Sequence, residues 1–304
     1  MAAEPITVRG VRLTSPTRVL YAEQGITKRE LAEYYARIER WVVPELKDRP
    51  LTLLRCPAGR EKECFVQRRA TDSIGAAVKR VPVDVSDEPE GTEHLAVDSI
   101  EGLLSLVQLG VLELHTWGAR RDRLDRPDRL IMDLDPAPDV EFAAVVEAAV
   151  EVRETLEALG LRSFVKSTGG KGLHVVAPLA RRNHWDELRA AARALAHAIA
   201  DGNPERYLAT SSKAERRGRI FLDYMRNAPG ATAIASYSTR ARPGAPVSLP
   251  LGWDELDAGF DPGEWTLRTV PERLESISVS PWAGYDGTRQ SITRAMMDAL
   301  EIGG

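Results

Sequence analysis

The chain has 304 residues, 43% of them apolar and 28% charged, a globular composition that excludes wholesale disorder and fibrous repeats. Its 41 Lys and Arg against 45 Asp and Glu leave a net charge of −4, which excludes a uniformly basic nucleic-acid coat but not a local basic groove. No apolar run reaches the ~20 residues of a membrane span. The start, MAAEPITVRG, has no apolar signal core, and the two cysteines, Cys56 and Cys64, cannot build a disulfide scaffold. A reducing cytoplasm and no membrane partner are the expectation.

In chain order, Ile6 to Leu13 reads as a strand or hairpin. Thr27 to Glu30 is a capping box, and Leu31, Tyr34, Tyr35, Ile38, Trp41 and Val42 follow at helical spacing as a core stripe. The run from Arg120 to Arg129 alternates Arg with Asp122, Asp125 and Asp128 and reads as a self-paired solvated face. Leu130 to Asp135 is a short strand ended by Pro136. Asp139 is expected to cap a helix running to about Leu159, stopped by Gly160. Strands are expected over 163–166, 173–178 and 219–224, with helices over about 184–200 and 288–301. Pro and Gly thicken between Ala241 and Gly263, a surface connection. The alternation predicts a mixed α/β fold, organised as one catalytic unit with two lobes over 1–304.

Asp133 and Asp135 stand two apart on a predicted strand, so their side chains share a face with Ile131, while Met132 and Leu134 turn to the core. Asp223 lies in a second apolar strand. Such Asp pairs also cap turns or face solvent. Inside apolar strands, however, bare charges are costly, and a divalent cation between them is the best relief. Three aspartates from two strands could hold two hard metals ~3.5–4 Å apart, the arrangement of in-line phosphoryl transfer. Ser167-Thr-Gly-Gly-Lys-Gly-Leu-His174 joins two strands; its glycines allow close backbone approach to a ligand and Lys171 supplies a cation. It lacks the P-loop spacing, and a plain Gly-rich hairpin with a core histidine at His174 is the alternative.

Ile131-Met-Asp-Leu-Asp-Pro136, the 167–174 loop and Ile220-Phe-Leu-Asp-Tyr-Met-Arg-Asn227, in this order, resemble the polymerase domain of bacterial DNA ligase D, a branch of the archaeo-eukaryotic primase superfamily. Leu13 to Tyr21, Leu112 to Trp117 and Tyr237 to Arg242 also look like family segments, so the resemblance runs from about Thr7 to about Arg273. It implies a two-lobed primase-type fold with mixed sheets flanked by helices, a DNA-end-binding segment over about 1–60 and a catalytic core over about 110–245. It implies a metal-dependent, template-directed nucleotidyltransferase that adds nucleotides, rNTP before dNTP, at gaps and broken ends during non-homologous end joining.

By the same resemblance, Asp133, Asp135 and Asp223 are catalytic metal ligands for two divalent ions, Mn²⁺ favoured over Mg²⁺. Lys171, His174, Arg240, Arg242, Ser167 and Thr168 hold the nucleotide, and His115 lies near its sugar. Ser15, Arg18 and Lys28 take the 5′-phosphate at the recessed DNA end, and Arg55, Phe65 and Arg216 complete the DNA contacts. Arg18 replaces a frequent lysine, and Cys64-Phe65-Val66 keeps one of two family aromatics. Ku and ligase domains are the implied protein partners. The competing readings are a stand-alone primase or gap-filling polymerase, a non-catalytic DNA-end-binding module and a metal-dependent phosphohydrolase.

Overall fold

The strand and helix periods of the sequence become, in a computed structural model of the chain, two six-stranded, mainly antiparallel sheets with helices packed on them, and two further two-stranded pairs. The structure describes residues 4–71, 74–85, 88–256 and 260–301. In chain order the elements are β1 (Ile6–Val8), β2 (Val11–Leu13), β3 (Val19–Tyr21), β4 (Ile26–Thr27), α1 (Lys28–Arg37), α2 (Glu39–Leu46), β5 (Leu51–Arg55), β6 (Phe65–Gln67), β7 (Lys79–Pro82), β8 (Glu93–Ala96), α3 (Ile100–Gln108) and β9 (Val111–Trp117). They continue as β10 (Arg129–Pro136), α4 (Phe142–Ala158), β11 (Phe164–Ser167), β12 (Leu173–Pro178), α5 (Trp185–Gly202), β13 (Tyr207–Leu208), β14 (Ile220–Asp223), β15 (Thr232–Ile234), β16 (Pro250–Leu251), α6 (Val270–Ser276) and α7 (Arg294–Ala299). Two compact units form. The first takes Met1–Trp117, Thr232–Leu249 and Gly263–Ser278; the second takes Gly118–Ala231, Pro250–Pro262 and Val279–Gly304.

In the first unit the sheet order is β15-β9-β5-β8-β7, with β6 paired to β5. The Thr27 capping box forms: Thr27 Oγ1 accepts from the Glu30 N–H at 3.3 Å, and Glu30 Oε2 accepts from the Thr27 N–H at 2.8 Å. Leu31, Tyr34, Tyr35, Ile38 and Val42 are buried, as their spacing predicts. They do not share one helix, because Ile38 leaves helical geometry (φ −102°, ψ 17°) between α1 and α2. Cys56 and Cys64, for which a reducing cytoplasm is the expectation, are joined in a disulfide. The cause is register: β5 pairs with β6 up to Arg55↔Phe65, so the next two residues outward face one another. One bridge across a turn is still no scaffold.

In the second unit the sheet order is β13-β14-β10-β12-β11-β16, with β13 parallel to β14 and the other pairs antiparallel. Met132 and Leu134 are fully buried, and α4 and α5 pack against the sheet. The expected self-pairing of the Arg-Asp run holds in part: Arg120 pairs with Asp128 and Arg126 with Asp125, but Asp122 pairs with Arg181 outside the run and Arg129 is buried rather than solvated. Two boundaries differ from expectation. Asp139 does not cap α4: the helix starts at Phe142, and the Asp139 carboxylate instead accepts from the Gly218 N–H at 3.1 Å. The last helix begins at Arg294 behind a Thr293 cap, and ahead of it the Gln290 side chain donates to the Arg162 and Pro178 carbonyls.

Two residues set the centre of this sheet. Asn227 continues the β10–β14 ladder with its side chain: Oδ1 accepts from the Ile131 N–H at 2.8 Å, and Nδ2 donates to the Ile131 carbonyl at 2.7 Å. Gly172 lets the loop before β12 close onto β10, since a Cβ there would lie 2.5 Å from the Leu134 carbonyl oxygen. Gly172→Ala is therefore expected to cost about 1–3 kcal/mol, the usual range for overpacking a well-packed region. Urea unfolding monitored by circular dichroism checks it; an unchanged midpoint would show that the loop yields freely.

Candidate active site

Strand register builds one row of side chains across the second unit's sheet. Lys166 of β11 stands opposite His174 of β12, His174 opposite Asp133 of β10, and Asp133 opposite Asp223 of β14. Cross-strand partners share a face, so a lysine, a histidine and two carboxylates line up, and all but Asp133 are at least nine-tenths buried. His174 Nε2 lies 3.3 Å from Asp133 Oδ1. The other ring nitrogen, Nδ1, is buried with no hydrogen-bond partner among the described residues. Asp223 Oδ1 accepts from the Met225 N–H at 2.8 Å.

Arg226 closes the row. Its Nε lies 3.1 Å from Asp133 Oδ2 and its Nη2 3.2 Å from Asp223 Oδ2, so one guanidinium bridges both carboxylates. Burial alone would raise both acids. At Asp133, His174 and Arg226 outweigh burial and hold the pKa well below the usual carboxylate range. At Asp223, burial and the neighbouring Asp133 charge prevail over Arg226 and push it up. This split is that of two like charges sharing one counter-ion.

Asp135 shares their strand face but turns away. Its Oδ2 lies 2.6 Å from Arg216 Nη1, and Arg216 stacks 4.3 Å from the Phe221 ring centroid. The pair is half-exposed, and such pairs are worth about 0–1 kcal/mol, so Asp135 is held weakly. Among the described residues no three His, Cys, Asp or Glu side chains converge as a ready metal site. The donor chemistry of Asp133 and Asp223 nevertheless fits a hard cation: paired oxygens from adjacent strands that already bridge a positive group. In the neighbouring loop, Thr168 Oγ1 donates to the Gly172 carbonyl at 3.0 Å and Ser167 is fully buried. Lys171 is exposed, donating to the Pro138 carbonyl at 2.9 Å.

In the first unit, Glu113 organises a second cluster that the sequence reading missed, although Glu113 and His115 stand two apart on β9. His115 Nε2 lies 2.9 Å from Glu113 Oε2, Arg240 Nε lies 3.1 Å from Glu113 Oε1, and the Ala241 N–H donates to the same oxygen at 2.8 Å. Arg242 is exposed two residues beyond Arg240. Toward the N-terminus, Lys28 is buried rather than at the surface: its Nζ donates to the Thr14 carbonyl at 3.0 Å and the Gln108 carbonyl at 3.2 Å. The first N–H groups of α1 are also occupied, Lys28 donating to Arg18 O and Arg29 to Pro16 O. Burial lowers the Lys28 pKa, and the nearby Arg18 charge lowers it further. Arg18 itself is exposed beside Ser15 and donates to the Pro57 carbonyl at 2.8 Å. Arg55 lies 5.1 Å from the centroid of the exposed Phe65 ring.

Burial works against the Glu113 charge, but the His115 hydrogen bond, the Arg240 and His115 charges and the Ala241 N–H outweigh it and bring its pKa from 4.5 to about 2. A depressed acid stabilises the fold above its unfolded pKa and loses that contribution as pH falls through the folded one. The wild type should thus lose about 3 kcal/mol more than Glu113→Gln between pH 4.5 and 2. Denaturant unfolding across that range measures the difference, and parallel stability curves would contradict it.

Residues 27–282 match the family described as LigD, primase-polymerase domain. Over 295 residues the chain is 41% identical to the multifunctional non-homologous end joining protein LigD of Pseudomonas aeruginosa, covering 97% of this chain and 35% of that protein. It is 33% identical over 248 residues to the protein of the same name from Mycolicibacterium smegmatis, covering 81% and 32%. The chain thus spans about a third of the length of these two relatives. Among solved structures, the polymerase domain of Mycobacterium tuberculosis Ligase D in complex with DNA superposes with a TM-score of 0.84 at 29% identity, over 91% of this chain and 98% of that one. By the family match and by fold, the chain belongs to the LigD primase-polymerase domain family.

Proposed function

We propose that the chain is a template-directed nucleotidyltransferase, a DNA-dependent polymerase of primase type that adds nucleotides, rNTP before dNTP, at gaps and broken ends during non-homologous end joining. The observation that carries the reading is the row of Asp133 and Asp223 with a cation bridging them. When bound there, two divalent cations, Mn²⁺ favoured, would stabilise charge at the α-phosphate and lower the pKa of the primer hydroxyl. The chain's own residues do the rest. Asp133 and Asp223 fix the donor oxygens, and Asp135 turns in from its weak pair with Arg216. Lys171 exchanges a carbonyl contact for a phosphate, a stronger charged partner. The backbone N–H groups around Gly169 and Gly170 supply close donors beside it. No side-chain nucleophile is needed.

Glu113 fixes a polar ring, His115, and a cation, Arg240, the two kinds of group that a ribose hydroxyl and a triphosphate call for. Arg18, exposed, with Lys28 buried behind it, offers a positive point for a terminal phosphate, and Ser15 a hydroxyl. Phe65, backed by Arg55, offers a ring for stacking on a base. The relatives are named non-homologous end joining proteins, and the family resemblance implies Ku and ligase domains as the partners.

Primer extension on gapped duplexes tests the reading. Asp133→Asn and Asp223→Asn are expected to abolish nucleotide addition with circular dichroism unchanged. Lys171→Ala and Arg240→Ala should each weaken nucleotide use by about 1.5–3 kcal/mol, the range for hydrogen bonds to charged groups. The wild type should prefer rNTP, and the preference should narrow in His115→Ala, because a polar group placed for a hydroxyl is left unpaired by a deoxy sugar. Near wild-type extension in both aspartate variants would remove the metal-dependent reading.

A 5′-phosphate at the recessed end of the gap should tighten binding. That gain should shrink in Arg18→Ala and fall as salt rises, since phosphate contacts release counter-ions. Fluorescence anisotropy of phosphorylated and unphosphorylated duplexes reads it; equal affinities for the wild type would remove the end-reading role.

A further inference from the structure

Arg226 has no part in the chemistry proposed above, yet it contacts both carboxylates at its centre. Its backbone is fixed on either side. Asp223 ends β14 with its Oδ1 tied to the Met225 N–H, and Asn227 is clamped to Ile131 by two side-chain hydrogen bonds and to the Tyr224 carbonyl by a third. The Arg226 side chain itself is 41% exposed, against 13% for Asp133 and 8% for Asp223. It therefore reaches the buried pair from the solvent side and has a way out.

The oxygens it holds, Asp133 Oδ2 and Asp223 Oδ2, are those not engaged by His174 or the Met225 N–H, and so the ones the pair offers to a bridging cation. A divalent ion would approach each oxygen to about 2.0–2.6 Å, inside the space now filled by guanidinium nitrogens 3.1 and 3.2 Å away. The two positive groups would also repel one another. Guanidinium and metal cannot both bridge the pair. Without either, the two carboxylates would face one another across adjacent strands with no counter-charge between them, an arrangement that is destabilising.

Building on the metal-dependent reading above, we propose that Arg226 is an exchangeable internal counter-ion of the aspartate pair: it bridges Asp133 and Asp223 in the metal-free protein and swings out when a divalent cation binds. Arg226 is a positioning residue in this scheme. It keeps the carboxylates in register before the metal arrives, and it lowers the apparent metal affinity because the ion must displace it.

The test is Mn²⁺ binding, read from the electron paramagnetic resonance of free Mn²⁺, for the wild type, Arg226→Met, Arg226→Lys and Asp133→Asn. Arg226→Met is expected to bind Mn²⁺ at least tenfold more tightly than the wild type, with Arg226→Lys between them. Asp133→Asn should remove the site in either background. Simple structural damage would weaken binding, so a gain is specific to displacement. Equal or weaker binding in Arg226→Met, with loss in Asp133→Asn, would overturn the exchange and leave the metal reading standing. No binding in the wild type or in Arg226→Met, or binding indifferent to Asp133→Asn, would overturn both. Should Arg226→Met fail to fold, the wild type suffices: in ¹⁵N NMR the Arg226 Nε–H should be protected from solvent exchange without metal and lose that protection on saturation with Mg²⁺. Retained protection would sink the proposal.

Discussion

Two carboxylates directly opposite one another on adjacent buried strands are destabilising unless a positive group lies between them, and the second unit is arranged around that constraint. The β10–β14 register places Asp133 against Asp223, and the turn after β14 returns Arg226 to cover both. On the other side of β10, His174 takes the remaining Asp133 oxygen, and Lys166 stands opposite His174 at the end of the row. Gly172 and Asn227 keep the three central strands close enough for the row to form.

The first unit solves a similar problem with a single buried acid. Glu113 is surrounded by a ring, a guanidinium and a backbone N–H, and its charge is held down to about pKa 2. The histidine and arginine it orients thus have fixed geometry, which is what a binding group needs if it is to lose little freedom when a ligand arrives. Both clusters place a polar group and a cation on rigid strands or their immediate flanks, with carboxylates as the organisers.

Much of this was legible in the sequence, and the gaps have physical reasons. Asp133 and Asp135 could be put on one face from their two-residue spacing, and the loop from Ser167 to Gly172 from its glycines. The register that pairs Asp133 with Asp223 could not, since a slip of one residue turns a side chain to the opposite face without altering the local pattern. Lys166 sits at the end of a short apolar run and looks like a surface terminus; only the strand on either side shows that it is buried. Arg226 was visible as part of a motif but not as a bridge, because one of its two carboxylates, Asp133, lies 93 residues away. β5 carries no period-two signal, because Leu51-Thr-Leu-Leu does not alternate and its first three residues are all buried. The Cys56–Cys64 bridge depends on the same unseen hairpin.

The central claim is that the Asp133–Asp223 pair is a cation site which the protein's own arginine fills until a metal takes it. A crystal grown with Mn²⁺ and a non-hydrolysable ribonucleoside triphosphate, with diffraction recorded at the manganese edge, tests it most directly. The account predicts an anomalous peak within coordination distance of both carboxylates, with the Arg226 guanidinium displaced from them. An anomalous map empty at that position, with Arg226 still bridging the two aspartates, would contradict it.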